Sequence, residues 1–267
     1  MTLYMIGLGL GNFQDITLRG LAAVRNSQHV FLESYTSIYG SSRLELEEFF
    51  EREITDANRD FVESHAEKIL EHAKKENVAF LVIGDVFGAT THIDLFLRAK
   101  EKEIDIKIIN NTSVLNAVGI TGLELYRFGR TASIVFDDDN WIPETPYEII
   151  RENKKLGLHT LCLLDIKTAE PSKENLLKGI KKPEPPRFMT VNKGLQILLK
   201  IENKRKEEAV SEDMIVVGVA RLGNEDMKIK AGKIKDIIKE DFGAPLHSLI
   251  IPGNLHDIEK EMLYLWK

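Results

Sequence analysis

Two short stretches carry side chains and backbone suited to holding a ligand. In "LVIGDVFGATTHIDLFL", residues 81–97, an apolar run ends in Gly-Asp, then a second glycine, two threonines and a histidine precede an amphipathic run. Open α/β sheets hold their ligands at such strand-to-helix turns. Asp85 can pair with a cationic group or cap the next helix, Gly88 admits a close backbone approach, and Thr90, Thr91 and His92 add polar groups. Helix capping by one of the threonines is the plain structural alternative. In "IGLGLGN", Gly7, Gly9 and Gly11 follow the first apolar run, where a backbone can approach a ligand and the next helix N-terminus attracts anions. The dinucleotide pattern G-x-G-x-x-G needs glycine at position 12, and Asn12 stands there. Glu33 ends the second apolar run, where a ribose-binding acid would sit, so a nicotinamide-dependent oxidoreductase stays open at this point.

The remaining chemistry-bearing residues narrow the choice. Among seven histidines there is no H-E-x-x-H and no paired-cysteine spacing, which predicts no metal site. His65 and His72 are seven apart, too far for a chelating pair. His247, in "GAPLHSLIIPG", precedes an expected strand and is placed to touch a ligand. The chain has no G-x-S-x-G elbow and no G-x-x-x-x-G-K loop, so hydrolase and NTPase readings lack support. Cys162 is the one cysteine. It lies within "HTLCLLDI", so it reads as core packing in a reducing compartment, with no internal disulfide available.

The elements that must position these residues follow from apolar periodicity. Strands are expected at "LYMIGLG", "HVFLES", "VAFLVIG" and "IKIIN". Helices are expected at "DITLRGLAAVRNS", capped by Asp15 or Thr17, then "RLELEEFFERE", a single long "RDFVESHAEKILEHAKKEN", and "HIDLFLRAKEKE". This alternation predicts a largely parallel sheet with helices on both faces. Further on, "TSVLNAVGITGLELYRFG" reads as a helix interrupted by Gly119 and Gly122. Strands "ASIVF", "HTLCLLDIK", "DMIVVGVARLG", "MKIKAGKI" and "HSLIIPG" then alternate with helices "PYEIIRENKKLG", "TVNKGLQILLKIENKRKEE", "KIKDIIKEDFG" and "HDIEKEMLYLWK", so a mixed sheet is expected. The stretch 168–187 holds four of the eight prolines and reads as a long loop. Two α/β domains are expected, 1–110 and 111–267.

Composition bounds the function classes. A net charge of −6 disfavours a general nucleic-acid binder, and 43% hydrophobic with 29% charged residues is ordinary for a soluble globular chain. No apolar stretch nears the ~20 residues of a membrane span, and the start "MTLYMIGLGLG" lacks a basic region before its apolar run. A cytoplasmic protein is expected.

Ten stretches occur in order along nearly the whole chain: "LYMIGLGLG", "DITLRGL", "ESYTS", "GDVFGATTH", "NTSVLNAVGITGLELYRFG", "GLHTLCLLDIK", "PPRFMTVN", "GVARLG", "AGKIKDI" and "DFGAPLHSLIIPG". Together they resemble the diphthine synthases, methyltransferases with a two-domain tetrapyrrole-methylase-like α/β fold. The stretch "NLLKGIKKPEPPRFM" is similar to the eukaryotic branch. The resemblance implies S-adenosylmethionine as methyl donor, S-adenosylhomocysteine as product, no metal, and a cofactor cleft between the domains. It implies an acceptor on translation elongation factor 2, a histidine carrying a 3-amino-3-carboxypropyl group, and a homodimer with no nucleic-acid or membrane partner. Cofactor contacts carry over to Leu10, Asp85, Gly88, Ser113, Val114, Leu164, Leu222 and His247. His92 and Asp165 are candidates for the catalytic base only because they lie in matched stretches. Methylases of this fold usually read Gly-Asp-Pro where this chain has Val86. Losing the proline should loosen the turn without removing its carboxylate or glycines.

Overall fold

The computed structural model describes residues 1–138, 141–167 and 185–267. The chain divides into two compact units: Met1–Ala117 with Gly223–Glu225, and Val118–Leu222 with Asp226–Lys267.

The first unit is built on a wholly parallel sheet. Its strands are β1 (Thr2–Gly7), β2 (His29–Glu33), β3 (Thr55–Ala57), β4 (Val78–Val82) and β5 (Asp105–Ile109), in the order β3-β2-β4-β1-β5. Side chains alternate across a strand, so an apolar run serves two cores at once. Leu3, Met5, Val78, Phe80 and Val82 pack with Val62, Ile69 and Leu70 on one face. Ile6, Ala79 and Leu81 pack with Val24, Leu46 and Phe50 on the other.

The helices of this unit are α1 (Leu18–Arg25), α2 (Arg43–Phe50), α3 (Arg59–Ser64), α4 (Glu67–Ala73), α5 (Ile93–Glu101) and α6 (Val114–Ala117). Thr17 caps α1, its hydroxyl accepting from the Gly20 amide at 3.0 Å, and Ser42 with Glu45 forms a capping box on α2. The single helix expected over 59–77 is two. At His65 the backbone turns to φ −122°, and its ring Nδ1 meets the Asp60 carbonyl at 3.4 Å, ending the helical ladder before α4 starts it again. The three-residue β3 has no alternating pattern of its own and is held by pairing with Phe31, Leu32 and Glu33.

The second unit holds the mixed sheet, ordered β11-β10-β12-β7-β6. Its members are β6 (Ala132–Ile134), β7 (Thr160–Leu164), β10 (Ile215–Ala220), β11 (Lys228–Lys233) and β12 (His247–Ile251). Only the β6–β7 pair is parallel. Two-residue β8 (Ile166–Lys167) and β9 (Arg187–Phe188) pair separately. Helices α7 (Thr145–Lys155) and α8 (Val191–Arg205) bury Tyr147, Ile150, Leu195 and Leu198 against Ala132, Cys162, Val216 and Leu249. Cys162 is fully buried, and burial pushes its thiol up to about 12, as core packing requires. Short α9 (Ile234–Ile237) and terminal α10 (Asp257–Leu265) complete the unit. The helix expected after residue 112 survives only as α6. Gly122, at φ +85°, ends the 3-10 turn that follows, and a Cβ there would lie 2.3 Å from the Met262 side chain. Of the proline-rich stretch, residues 168–184 lie outside the described residues. Among the described residues, no helix is long and apolar enough to cross a membrane.

A buried charge cluster fastens α10. The Glu259 carboxylate is inaccessible and accepts four hydrogen bonds: from His159 Nε2 at 2.8 Å, Arg127 Nη1 at 2.7 Å, and the main-chain amides of Glu124 and His256, each at 3.2 Å. His159 Nδ1 accepts from the Gly253 amide at 2.9 Å, which places the imidazole proton on Nε2. Burial pushes the Glu259 carboxyl up, but these donors outweigh it and hold it below the usual carboxylate value.

Candidate functional site

In the first unit the residues singled out from the sequence gather where β1, β4 and β5 end. The chain leaves β1 through Gly7–Gly11 and leaves β4 through Ile83–Gly88. Gly9 and Gly84, at φ +81° and +83°, form an isolated bridge between these two loops. Leu10 reaches over Gly84: its Cδ2 is the nearest atom to a Cβ built on that glycine, at 3.7 Å. The third glycine of the loop serves close packing, since a Cβ on Gly11 would lie 2.6 Å from the Gly223 carbonyl oxygen.

Asp85 organises its turn. Its Oδ1 accepts from the Phe87 amide at 3.0 Å, and its Oδ2 from the Asn111 amide at 3.0 Å and Asn110 Nδ2 at 3.1 Å. Partial burial raises the carboxyl, but these donors outweigh it and keep it below the usual value, so it is ionised at neutral pH. The Gly88 main-chain amide also lowers it, so four donors of the protein itself surround the carboxylate. Gly88 lies directly on Ser113: a Cβ would come 2.6 Å from both Ser113 Cβ and Oγ. Ser113, buried, precedes the short helix α6, which Val114, half-buried, begins.

Asn111 was missed in the sequence. Its side-chain amide donates to the Gly7 carbonyl at 3.0 Å and the Asp15 carbonyl at 2.9 Å, while its own amide goes to Asp85. One residue thereby joins the ends of three strands. The only signal was an "NNTS" run directly after an apolar strand. Asp15 ends the 3-10 turn Phe13–Asp15 and does not cap α1: its Oδ2 accepts from the Gly11 amide at 2.7 Å.

Other expectations change. Neither Thr90 nor Thr91 caps α5: the Thr90 hydroxyl donates back to the Val86 carbonyl at 2.6 Å, and His92 occupies the cap position with its Nδ1 on that same carbonyl at 3.4 Å and no side-chain bond to the helix. His92 is buried edge-on against Phe80 and Tyr35, and burial lowers it to about 4, leaving it neutral. Glu33 cannot hold a ribose. It is inaccessible, and its oxygens accept from the amides of Tyr35 and Thr36 and from the Thr36 hydroxyl at 2.5–2.7 Å. With that acid turned inward and the glycine spacing wrong, the dinucleotide reading loses both its supports.

In the second unit, the singled-out residues also share one end of the sheet. Leu164 ends β7 and Asp165 follows it, Leu222 follows β10, and His247 opens the antiparallel β12 opposite Ala220. Asp165 is half-buried and accepts from the Phe136 amide at 3.1 Å. His247 Nδ1 accepts from the Val191 amide at 3.4 Å and Nε2 donates to the Ala244 carbonyl at 3.1 Å, while burial lowers its pKa. Arg221, at φ +50°, braces both loops. Its guanidinium donates to the Phe242 and Ala244 carbonyls at 2.7 and 2.6 Å and its Nε to Asp226 at 2.6 Å.

Comparison with known proteins identifies the family. The family model described as tetrapyrrole (corrin/porphyrin) methylases matches residues 2–238. A diphthine methyl ester synthase of Bos taurus is 52% identical over 99% of this chain and 94% of its own. The solved structure of a candidate diphthine synthase from Entamoeba histolytica superimposes with a TM-score of 0.89 at 43% identity, covering 100% of this chain and 98% of that one. A second crystal structure, of a diphthine synthase, gives 0.85 at 32% identity over 100% and 96%. The chain belongs to the tetrapyrrole methylase family and, within it, to the diphthine methyl ester synthases.

Proposed function

We propose that this protein transfers methyl groups from S-adenosylmethionine to the 3-amino-3-carboxypropyl-histidine of translation elongation factor 2, in the biosynthesis of diphthamide. The observation that carries this reading is the similarity to a diphthine methyl ester synthase over 99% of the chain, which leaves no large part of the fold unaccounted for.

The residues present fit the cofactor. Glycine-rich turns expose main chain where β1 and β4 end, an ionised Asp85 offers negative charge to a cationic amino group, and Leu10, Val114 and Leu222 supply apolar surface. We assign Leu10, Asp85, Gly88, Ser113 and Val114 of the first unit and Leu164, Leu222 and His247 of the second to cofactor binding. Bound S-adenosylmethionine supplies an electrophilic methyl on a sulfonium. The residues around it would hold the acceptor in line with that methyl and would let a proton leave each nitrogen that is methylated. The protein's contribution is orientation and exclusion of water. A neutral His247 adds no positive charge beside a cationic donor. Asp165, partly exposed, is better placed to receive the proton than the walled-in His92. We read the working form as a cytoplasmic homodimer, on the family resemblance.

The test is methyl transfer from labelled S-adenosylmethionine to elongation factor 2 bearing the unmethylated precursor, beside a factor with the target histidine replaced. Label on the first factor alone supports the reading, and product mass counts the methyl groups. S-adenosylhomocysteine binding without label would retain the cofactor and reject this acceptor.

A further inference from the structure

At the opposite end of the parallel strands from the glycine turns, three side chains converge that the methyl-transfer reading does not use. We propose that His29, His72 and Glu76 form a binding site for a zinc-class divalent cation, with one coordination position open to water.

The donor atoms of the three lie within 4.8 Å of one another. His29 Nε2 is 2.7 Å from Glu76 Oε2, and the two imidazole rings are 3.8 Å apart between centroids, tilted by 36°. Each comes from hydrogen-bonded backbone. His72 and Glu76 are four apart, and the Glu76 amide donates to the His72 carbonyl at 2.9 Å, so the helical turn that aligns such positions persists past the end of α4. His29 opens β2 in parallel register with Val78, and the Gln28 amide donates to the Asn77 carbonyl at 2.9 Å, tying this strand to the turn that carries Glu76.

The donor chemistry selects the ion. Two imidazole nitrogens and one carboxylate are zinc ligands, and three protein ligands leave the fourth tetrahedral position for water. Calcium and magnesium prefer oxygen throughout. Tetrahedral donors about 2.1 Å from zinc stand roughly 3.4 Å apart. The His29–Glu76 pair, now 2.7 Å apart, must open to that spacing and the His72 ring turn toward it, and His72 and Glu76 are both exposed. On binding, the cation takes the place of the His29–Glu76 hydrogen bond. The cluster of Glu124, His256 and Glu259 makes the contrast: four donors already fill the Glu259 carboxylate, leaving nothing for a metal. A cation at His29, His72 and Glu76 would staple β2 to the turn between α4 and β4.

The test is titration of the full, tag-free chain with Co2+ and then Zn2+, followed by visible absorption and calorimetry. One Co2+ should bind with the intense visible bands of a four-coordinate ion and be displaced by Zn2+. Zn2+ should raise the thermal midpoint, and chelation should reverse the rise. His72→Ala alters an exposed side chain and should weaken binding at least about tenfold, as should Glu76→Gln. No saturable binding to the wild type, or equal affinity in wild type and both variants, overturns the proposal.

Discussion

Gly9 and Gly84 exchange a pair of main-chain hydrogen bonds, 3.1 Å from the Gly9 amide and 2.8 Å from the Gly84 amide, at φ +81° and +83°. Beyond the last parallel pair, Gly7 with Val82, the two chains thus meet once more as an antiparallel bridge. Both loops are held by backbone, and the conformation that holds them is one that L-residues resist.

Gly84 and Gly88 should therefore fail differently when replaced by alanine. At Gly84 the new Cβ has room, so the cost is backbone strain of about 1–2 kcal/mol, with affinity for S-adenosylhomocysteine little changed. At Gly88 the Cβ strikes Ser113, and affinity should fall at least about tenfold, as when a positioning contact moves by 1 Å. Urea denaturation and calorimetry on the two variants separate the cases.

The bond from Thr90 to the Val86 carbonyl closes the turn that a proline usually stiffens in this fold. Thr90→Val should weaken S-adenosylhomocysteine binding several-fold, an amount worth about 1 kcal/mol for one lost hydrogen bond. Val86→Pro should tighten binding alone and restore it in the Thr90→Val background. Absence of both gains would show that the turn is already rigid.

His92 sets a pH dependence of stability. Its folded pKa, about 4, lies below the unfolded 6.5, so the unfolded chain binds the extra proton between those values. Its contribution is whole above pH 6.5 and drains away as pH falls toward 4, by roughly 2–3 kcal/mol. His92→Leu should flatten that part of the curve. Denaturant midpoints from pH 4 to 7 for the two proteins check this.

Glu259→Ala leaves Arg127 and His159 without their carboxylate in a buried setting, which should cost about 3–5 kcal/mol. Glu259→Gln keeps an acceptor for His159 and should cost less. The folded carboxyl lies below its ordinary 4.5, so its contribution is full above that value and is lost as pH falls through the lower one. Chemical denaturation of both variants at neutral and acid pH measures it.

Much of the architecture could be read from the residues because buried parallel strands are continuously apolar, as in "VAFLVIG", and helices such as Thr145–Lys155 repeat their apolar positions at helical spacing. β3 could not, since three residues carry no period and only pairing makes them a strand. The break at His65 was equally silent, because Val62 and Ile69 keep the same face on either side of it. Around the turns, glycine and Asp85 stood out by type. Asn111 and Arg221 did not, because what they bind lies 26 to 104 residues away for Asn111 and in a separate loop for Arg221. The histidine cluster is hidden in the same way. Only His72 and Glu76 show a chelating spacing, and His29 arrives from another strand.

The buried carboxylate of α10 also has a kinetic meaning. Glu259 lies 100 residues after His159 and 132 after Arg127, so its hydrogen bonds close very long loops and come late in any ordering by loop entropy. Until residue 259 has been synthesised, His159 and Arg127 have no carboxylate to meet. Closing loops of that length costs chain entropy that the buried hydrogen bonds must offset once they form.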